Sequence, residues 1–167
     1  MTSLLLDARP TPPTLDATGM GIGAGAVMLA ALAFASLAHG DAASLPLHFT
    51  ASLVLGSAAI TSTAFWLLFA GSLVNIGISA LYGRLYARAV SWLPPSVSAS
   101  WFGTVATGLL FGAFTYVLGM QLVSRAIFPW MLEANQLSWF AAHAFVFGPV
   151  LAVMYEVGQR RERARLA

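Results

Sequence analysis

Four long apolar stretches alternate with short polar ones along this chain. They cover residues 19–38, 64–89, 101–123 and 137–157, and each is bounded by charge, proline or a polar cluster. A hydrocarbon core about 30 Å thick is crossed by about 20 helical residues. Because lipid offers the backbone no hydrogen-bond partner, such stretches must be helical. The pattern predicts an all-α integral membrane four-helix bundle, in a single transmembrane domain at 19–157.

A fifth apolar segment, at 45–60, is too short to cross easily. It begins near Pro46 and carries His48, Thr50, Ser52 and Ser57, so we interpret it as a re-entrant or interfacial helix. Four spans put seven of the eight basic residues on one side of the membrane and leave only Arg125 on the other. A fifth span would break this bias. The positive-inside rule therefore favours four spans with both termini in the cytoplasm.

The two ends of the chain are polar. Residues 1–18 contain three prolines and two aspartates, and they lack the basic start of a signal peptide. Residues 158–167 carry four arginines. We interpret both as cytoplasmic tails. The absence of lysine and the abundance of alanine suggest a GC-rich bacterial genome, and hence a bacterial inner membrane.

Composition narrows the class of protein. Only 8% of the residues are charged and 59% are hydrophobic, whereas soluble domains carry about 25% charged residues. The net positive charge comes from the basic tail, which is typical of a segment that sets topology or contacts anionic lipid head groups and does not indicate nucleic-acid binding. The chain has no cysteine, which excludes disulfides, thiolate metal sites, iron–sulfur clusters and covalent c-type haem.

Glycines form a pattern in the first and third spans. The string GMGIGAG at 19–25 formally resembles a dinucleotide fingerprint, but no strand precedes it. Within a membrane helix the spacing is instead typical of close helix–helix packing. The helix-packing candidates are Gly19, Gly21, Gly23, Gly25, Gly108 and Gly112. The sequence leaves open whether the partner helix belongs to this chain or to another subunit.

Three histidines are the candidate ligands for haem or a transition metal. His39, His48 and His143 all fall in the outward-facing half of the predicted topology, and neutral imidazole suits zinc, copper or haem iron. No H-x-x-x-H or H-E-x-x-H pair is present, and histidines near an interface are commonly amphipathic anchors. We therefore assign no metal site and no cofactor.

Asn75 is the polar residue placed deepest in a predicted span. Such a group is costly in lipid and indicates either a structural hydrogen bond or a substrate site. We expect a hydrogen bond across helices, with Ser72, Ser79 or Thr107 as the candidate partner. Near the end of the fourth span, Glu156 and Arg160 are spaced for an ion pair.

Four segments resemble a known set of proteins. They are LPLHFTASLVLG at 45–56, SALYG at 79–83, FPW at 128–130 and HAFVFG at 143–148. In this order, over roughly residues 20–157, they are similar to an uncharacterised family of small four-helix bacterial membrane proteins. The resemblance implies the four-helix architecture and carries no activity, cofactor or functional residue.

The sequence contains no nucleophile elbow, phosphate-binding loop or paired carboxylates, so we predict that the protein is not an enzyme. The first hypothesis is a non-catalytic accessory subunit of a larger respiratory or photosynthetic membrane complex, with lipids and other membrane subunits as partners. The alternative is a small transporter or channel. Its polar path would use Asn75, Thr107, Tyr116, Ser124 and His143. A third hypothesis is a haem- or metal-binding membrane redox protein.

Overall fold

The computed structural model describes residues 14–94, 97 and 100–166, and this part of the chain is helical with no strand. The helices are α1 Thr14–Ala38, α2 Leu45–Leu55, α3 Ala58–Thr61, α4 Trp66–Ser91, α5 Trp101–Tyr116, α6 Ser124–Ile127, α7 Gln136–Ala141 and α8 Gly148–Leu166. Two π-helical segments interrupt the series, π1 at Val117–Val123 and π2 at Ala142–Phe147, and a 3-10 turn covers Pro129–Glu133.

Four continuous helices among the described residues are long and apolar enough to span a bilayer. They are Asp16–Ala38, Trp66–Ser91, Trp101–Ile127 and Gln136–Arg165. Large apolar side chains cover their outer faces, for example Phe34 at 74% exposure and Leu110 at 71%. Such a surface is compatible with lipid and not with water. The chain is a multi-pass membrane protein, and the predicted all-α bundle is confirmed.

The helices extend beyond the predicted spans. α1 begins at Thr14 rather than at residue 19, and α8 continues to Leu166, so the predicted C-terminal tail is helical over its described residues. Glu156 pairs there with Arg160 at 2.9 Å, as predicted. The predicted N-terminal tail lies outside the described residues as far as residue 13.

The segment predicted to be re-entrant or interfacial forms α2 and α3. α2 has 11 residues and is about 16 Å long, which is too short to span. Gly56 follows it with φ 84°, a conformation that suits glycine. α2 packs on α4 where Gly71 faces the Leu47 backbone; a Cβ on Gly71 would lie 2.9 Å from the Leu47 carbonyl carbon. The short helix is thus held against the bundle.

The spans pack in the order α4, α1, α8, α5, whereas the backbones of α4 and α5 come close at few positions. We call one end of the bundle the α2 end; there Asn135 Nδ2 lies 3.2 Å from His39 Nε2. The opposite end, where α1 begins and α8 ends, is the tail end; there Arg84 Nε donates to Thr18 Oγ1 at 2.9 Å. The gap between α4 and α5 is the open side of the bundle.

Most of the predicted packing glycines close on helices of this same chain. A Cβ on Gly21 would lie 2.9 Å from Gly83 Cα, and a Cβ on Gly25 would collide with the Ser79 side chain. Gly108 and Gly112 have the same role against α8 and π2.

The other pair of predicted glycines behaves differently. A Cβ on Gly23 would meet only the flexible end of Met154, 2.8 Å from its Cε. Gly19 has no described atom within 4 Å of the position of a Cβ. Its prediction as a packing residue is therefore not supported by any contact in the described part of the chain.

Candidate functional site: a cavity on the open side of the bundle

A cavity of about 340 Å³ occupies the open side, between α4 and π1. Its wall is mostly apolar, and its outer lining includes Leu81, Leu85 and Val123, which are 55%, 42% and 37% exposed. These residues lie on the lipid-facing surface of a membrane protein. The cavity is therefore accessible sideways, from the bilayer. No Asp, Glu, Lys or Arg is among the described residues that line it.

Asn75 lines this cavity and is only 7% exposed. It lies nine residues after Trp66, the first residue of α4, which is about 14 Å along the helix axis. The predicted bonds to Ser72 and Thr107 are not formed, because Ser72 donates to Leu68 O and Thr107 donates to Gly103 O. The third predicted partner, Ser79, does not bond to Asn75 either, and among the described residues the Asn75 amide has no hydrogen-bond partner. A buried amide is costly in this state.

His143 reaches the same cavity from π2 and is also 7% exposed. Its Nδ1 lies 2.8 Å from the Trp139 carbonyl oxygen. Since a carbonyl only accepts, Nδ1 carries a proton. In a neutral imidazole the other nitrogen, Nε2, is then an acceptor, and no described residue donates to it. The indole of Trp139 stacks on the imidazole, with ring centroids 6.0 Å apart and planes at 26°.

Tyr82 adds a third polar group to the wall. Its ring is held edge-on by Phe111 and Phe147, at centroid distances of 6.5 and 6.0 Å. Its hydroxyl lies 3.4 Å from where a Cβ on Gly119 would stand, and it has no hydrogen-bond partner in the described part of the chain. Three polar side chains from two sides of the cavity thus each have at least one hydrogen-bonding atom with no partner among the described residues.

The threonine and serine hydroxyls of the wall have internal partners. Thr50 donates to Pro46 O at 2.8 Å, Thr115 to Gly112 O at 2.9 Å and Ser124 to Gly119 O at 2.8 Å. Each hydroxyl therefore uses its proton on its own helix. These three hydroxyls make the wall slightly polar, and their protons need no acceptor from a ligand.

Both π segments contribute to the cavity. π1 supplies Gly119 and Met120, and π2 supplies His143. A π turn widens a helix and changes the direction of the side chains that follow, and such turns occur frequently at functional sites. Gly112 permits the close approach of α5 to π2, since a Cβ there would lie 2.8 Å from the His143 carbonyl carbon. The backbone of His143 is therefore fixed by a neighbouring helix.

A separate polar cluster lies at the α2 end, and sequence reasoning missed it. The Tyr116 hydroxyl donates to Gln136 Oε1 at 2.9 Å, and Gln121 Nε2 donates to the Tyr116 hydroxyl at 2.8 Å. The Gln136 amide nitrogen lies within 3.2 Å of three backbone carbonyls, those of Met131, Leu132 and Ala134. We call Tyr116, Gln121 and Gln136 the glutamine clasp. The spacing of two glutamines and a tyrosine gives no sequence signal for it.

The other two candidate histidines lie elsewhere. His39 is exposed and lines a separate depression of about 40 Å³ with Asp41 and Asn135. Its Nδ1 bonds to Ala35 O and its Nε2 to the Asn135 amide, so it joins two helix ends. His48, half-buried on α2, lines neither site. The described residues contain no group of three or more His, Cys, Asp or Glu able to hold a metal ion.

The predicted transport path is divided between different surroundings. Asn75, Ser124 and His143 share the cavity. Thr107 lies instead in a second groove, of about 620 Å³, between the tail-end halves of α4 and α5. There its hydroxyl lies 3.3 Å from the Tyr86 hydroxyl. Tyr116 belongs to the glutamine clasp. The five residues do not line one cavity.

Among known proteins, no protein-family model, curated protein or solved structure matches this chain.

Proposed function

We propose that this protein binds a lipid-soluble molecule in the cavity between α4 and π1. The observation that carries the proposal is the pair Asn75 and His143, two buried side chains with unpaired polar atoms on the wall of one apolar cavity. An empty site of this kind is unfavourable, because each buried unpaired group costs about 1–3 kcal/mol. A bound molecule with a small polar group would remove that cost.

The cavity also favours a membrane-derived molecule over one from water. Its opening faces the lipid-exposed side, at Leu81 and Leu85. Its volume of about 340 Å³ is within the usual range of small-molecule sites. The charge-free wall favours a neutral ligand, because an ion would enter without a counter-charge.

The test is to identify what the protein carries. The full chain is purified in a mild detergent, and bound molecules are extracted and analysed by mass spectrometry. We expect one lipid-soluble species in near-stoichiometric amount, and we expect it to be lost from Asn75→Leu and His143→Phe. The matched control is Thr107→Val, which removes a polar group outside the cavity. Equal lipid content in all four proteins would contradict the proposal.

An accessory-subunit role is the second candidate, and the groove of about 620 Å³ favours it. This groove is lined by apolar side chains such as Leu110 and Phe114, which are 71% and 55% exposed. A transmembrane helix of a larger subunit would fill it. The glycine faces give this role less support, since Gly21, Gly25, Gly108 and Gly112 pack within the chain.

Co-purification from native membranes tests the subunit role. Larger subunits should be recovered with the wild-type chain and lost from Leu110→Arg, which places a charge in the groove. His143→Phe, outside the groove, is the control and should retain them. Recovery of the wild-type chain without other subunits would contradict the subunit role. It would not contradict the proposal that the cavity binds a ligand.

We infer that the membrane is a bacterial inner membrane and that both chain ends are cytoplasmic. Arg84 and Arg88 near the end of α4 lie at the same end of the bundle as the C-terminal arginines, as the positive-inside rule requires. A reporter that is active only in the cytoplasm, fused after Ala167, should be active. A periplasmic reporter that is active at the same position would reverse the orientation.

A further inference from the structure

We propose that the ligand is a ring lipid that bears a free hydroxyl group, of the hydroquinone type, and that the cavity distinguishes it from the oxidised quinone. This inference rests on the proposed function, because it names the chemical class of the molecule that the cavity binds. It concerns recognition only and assigns the protein no redox step.

The hydroxyl requirement comes from His143. Its Nδ1 proton is used by the Trp139 carbonyl, 2.8 Å away. Its Nε2 is then able only to accept in the neutral imidazole. A charged imidazolium is disfavoured because no carboxylate is among the described residues of the wall. The matching ligand atom is consequently a donor, and a neutral lipid supplies one as an O–H group. A quinone carbonyl has no proton to donate.

The second polar contact is less selective. Asn75 has an amide nitrogen that donates and an amide oxygen that accepts, and the Tyr82 hydroxyl can do either. A second oxygen on the ring is satisfied by these groups whether it is a hydroxyl or a carbonyl. Asn75 and Tyr82 therefore recognise both redox forms, and the discrimination falls on His143.

The position of the polar groups along their helices disfavours a charged phospholipid head group. His143 lies seven residues after Gln136, the start of α7, about 10 Å along the axis, and Asn75 lies about 14 Å along α4. Both positions lie about two turns or more inside helices that are long and apolar enough to cross a bilayer. A phosphate or ammonium drawn to that depth would lose its hydration without a charged partner. A small neutral ring on a hydrocarbon tail occupies that depth naturally.

Aromatic side chains favour a flat ring over a linear alcohol. Trp139, Tyr82 and Phe128 line the cavity together with the imidazole. Trp139 and His143 already stack, and aromatic pairs prefer offset or edge contacts worth about 0.5–1.5 kcal/mol beyond their buried area. A ring between such walls gains contacts that a linear isoprenoid alcohol lacks.

The experiment compares three probes by titration calorimetry on the full chain, after delipidation, in detergent micelles under argon. The probes are decylhydroquinone, decylquinone and the linear alcohol farnesol. We expect the hydroquinone to bind roughly tenfold more tightly than the quinone, because a tenfold difference corresponds to the free energy of about one hydrogen bond. Farnesol should bind more weakly than the hydroquinone.

Variants assign the preference to its source. His143→Phe keeps an aromatic ring and removes the acceptor, so the preference for the hydroquinone should disappear. His143→Gln, with an amide oxygen that accepts, should restore part of it and guards against a simple folding defect. Asn75→Leu should weaken both redox forms by a similar factor. Thr107→Val should leave all three affinities unchanged.

The outcomes separate the two proposals. Equal or tighter binding of the quinone, or a preference that survives in His143→Phe, overturns the hydroxyl inference. Farnesol binding as tightly as the hydroquinone overturns the ring. In each of these cases the cavity still binds a lipid, and the proposed function stands. If no probe binds and no lipid co-purifies with the protein, both proposals fail.

Discussion

The glutamine clasp and the cavity lie near the same end of the bundle, and their polar groups are arranged differently. In the glutamine clasp, Gln136 bonds to Tyr116, to Gln121 and to three carbonyls. In the cavity, Asn75 and the Nε2 atom of His143 bond to no described residue, although both residues are only 7% exposed. Similar residue types thus have opposite hydrogen-bond states.

The difference separates a structural role from a recognition role. A polar group that is buried and paired strengthens the fold, whereas a buried unpaired one weakens it. Proteins keep weakening groups at sites where a ligand needs them. The side-chain donors of the clasp are all bonded within the protein. The cavity, in contrast, has unpaired donors and acceptors that can bind one small polar group.

The largest expected effect comes from a change that disturbs both clusters. Gly112→Leu drives a side chain into the His143 backbone and separates α5 from π2. We expect a loss of about 3 kcal/mol of stability, at the upper end for overpacking, together with loss of the bound lipid. The measurement is the midpoint of thermal unfolding in detergent. Gly19→Leu is the matched control and should leave the midpoint nearly unchanged, and an equal loss in the two variants would contradict the packing described for Gly112.

A change in the clasp alone should destabilise without affecting binding. Gln136→Leu leaves the Tyr116 hydroxyl without its acceptor and removes the amide nitrogen that the carbonyls of Met131, Leu132 and Ala134 share. We expect a cost of about 2 kcal/mol in unfolding free energy, with lipid content retained in the protein that remains folded. Gln159→Leu is the control, since its amide makes one bond of 3.1 Å to the Tyr155 hydroxyl; it should cost less. If Gln136→Leu releases the lipid, the two clusters are not independent.

A change in the cavity alone should have the opposite sign. Asn75→Leu removes a buried amide without breaking a hydrogen bond to a described residue. We expect the lipid-free protein to gain about 1 kcal/mol in stability, while lipid binding weakens. Thermal unfolding of delipidated protein measures the first effect and extraction measures the second. A destabilised Asn75→Leu protein would mean that the amide has a structural partner. Its role would then be structural, like that of the glutamine clasp.

The sequence predicted much of the fold because the membrane restricts the choices. Uninterrupted apolar stretches must form helices, and the arginine distribution correctly selected four spans over five. The ion pair of Glu156 and Arg160 followed from spacing along one helix. Glycine spacing also predicted the close helix contacts at Gly21, Gly25, Gly108 and Gly112. It did not predict which helix each glycine packs against.

The site was predicted less well, because its features depend on groups that meet across the bundle. Asn75 and His143 were singled out from their residue type and depth. The expected partners of Asn75 failed, since Ser72 and Thr107 turn their hydroxyls to their own helices. The clasp and the two π segments had no recognisable pattern. The grouping of three histidines was suggested by topology alone, and only His143 lines the cavity.

The sequence by itself determined that the chain is an α-helical membrane protein of four spans, because hydrophobic length and charge placement act locally and lipid enforces them. Tertiary structure decided which buried polar groups find partners. That decision depends on helix order, on the gap between α4 and α5, and on the rotation that the π segments impose. Asn75 and Gln136 are both amides in apolar surroundings, and only their neighbours in space make one a candidate ligand group and the other part of the fold.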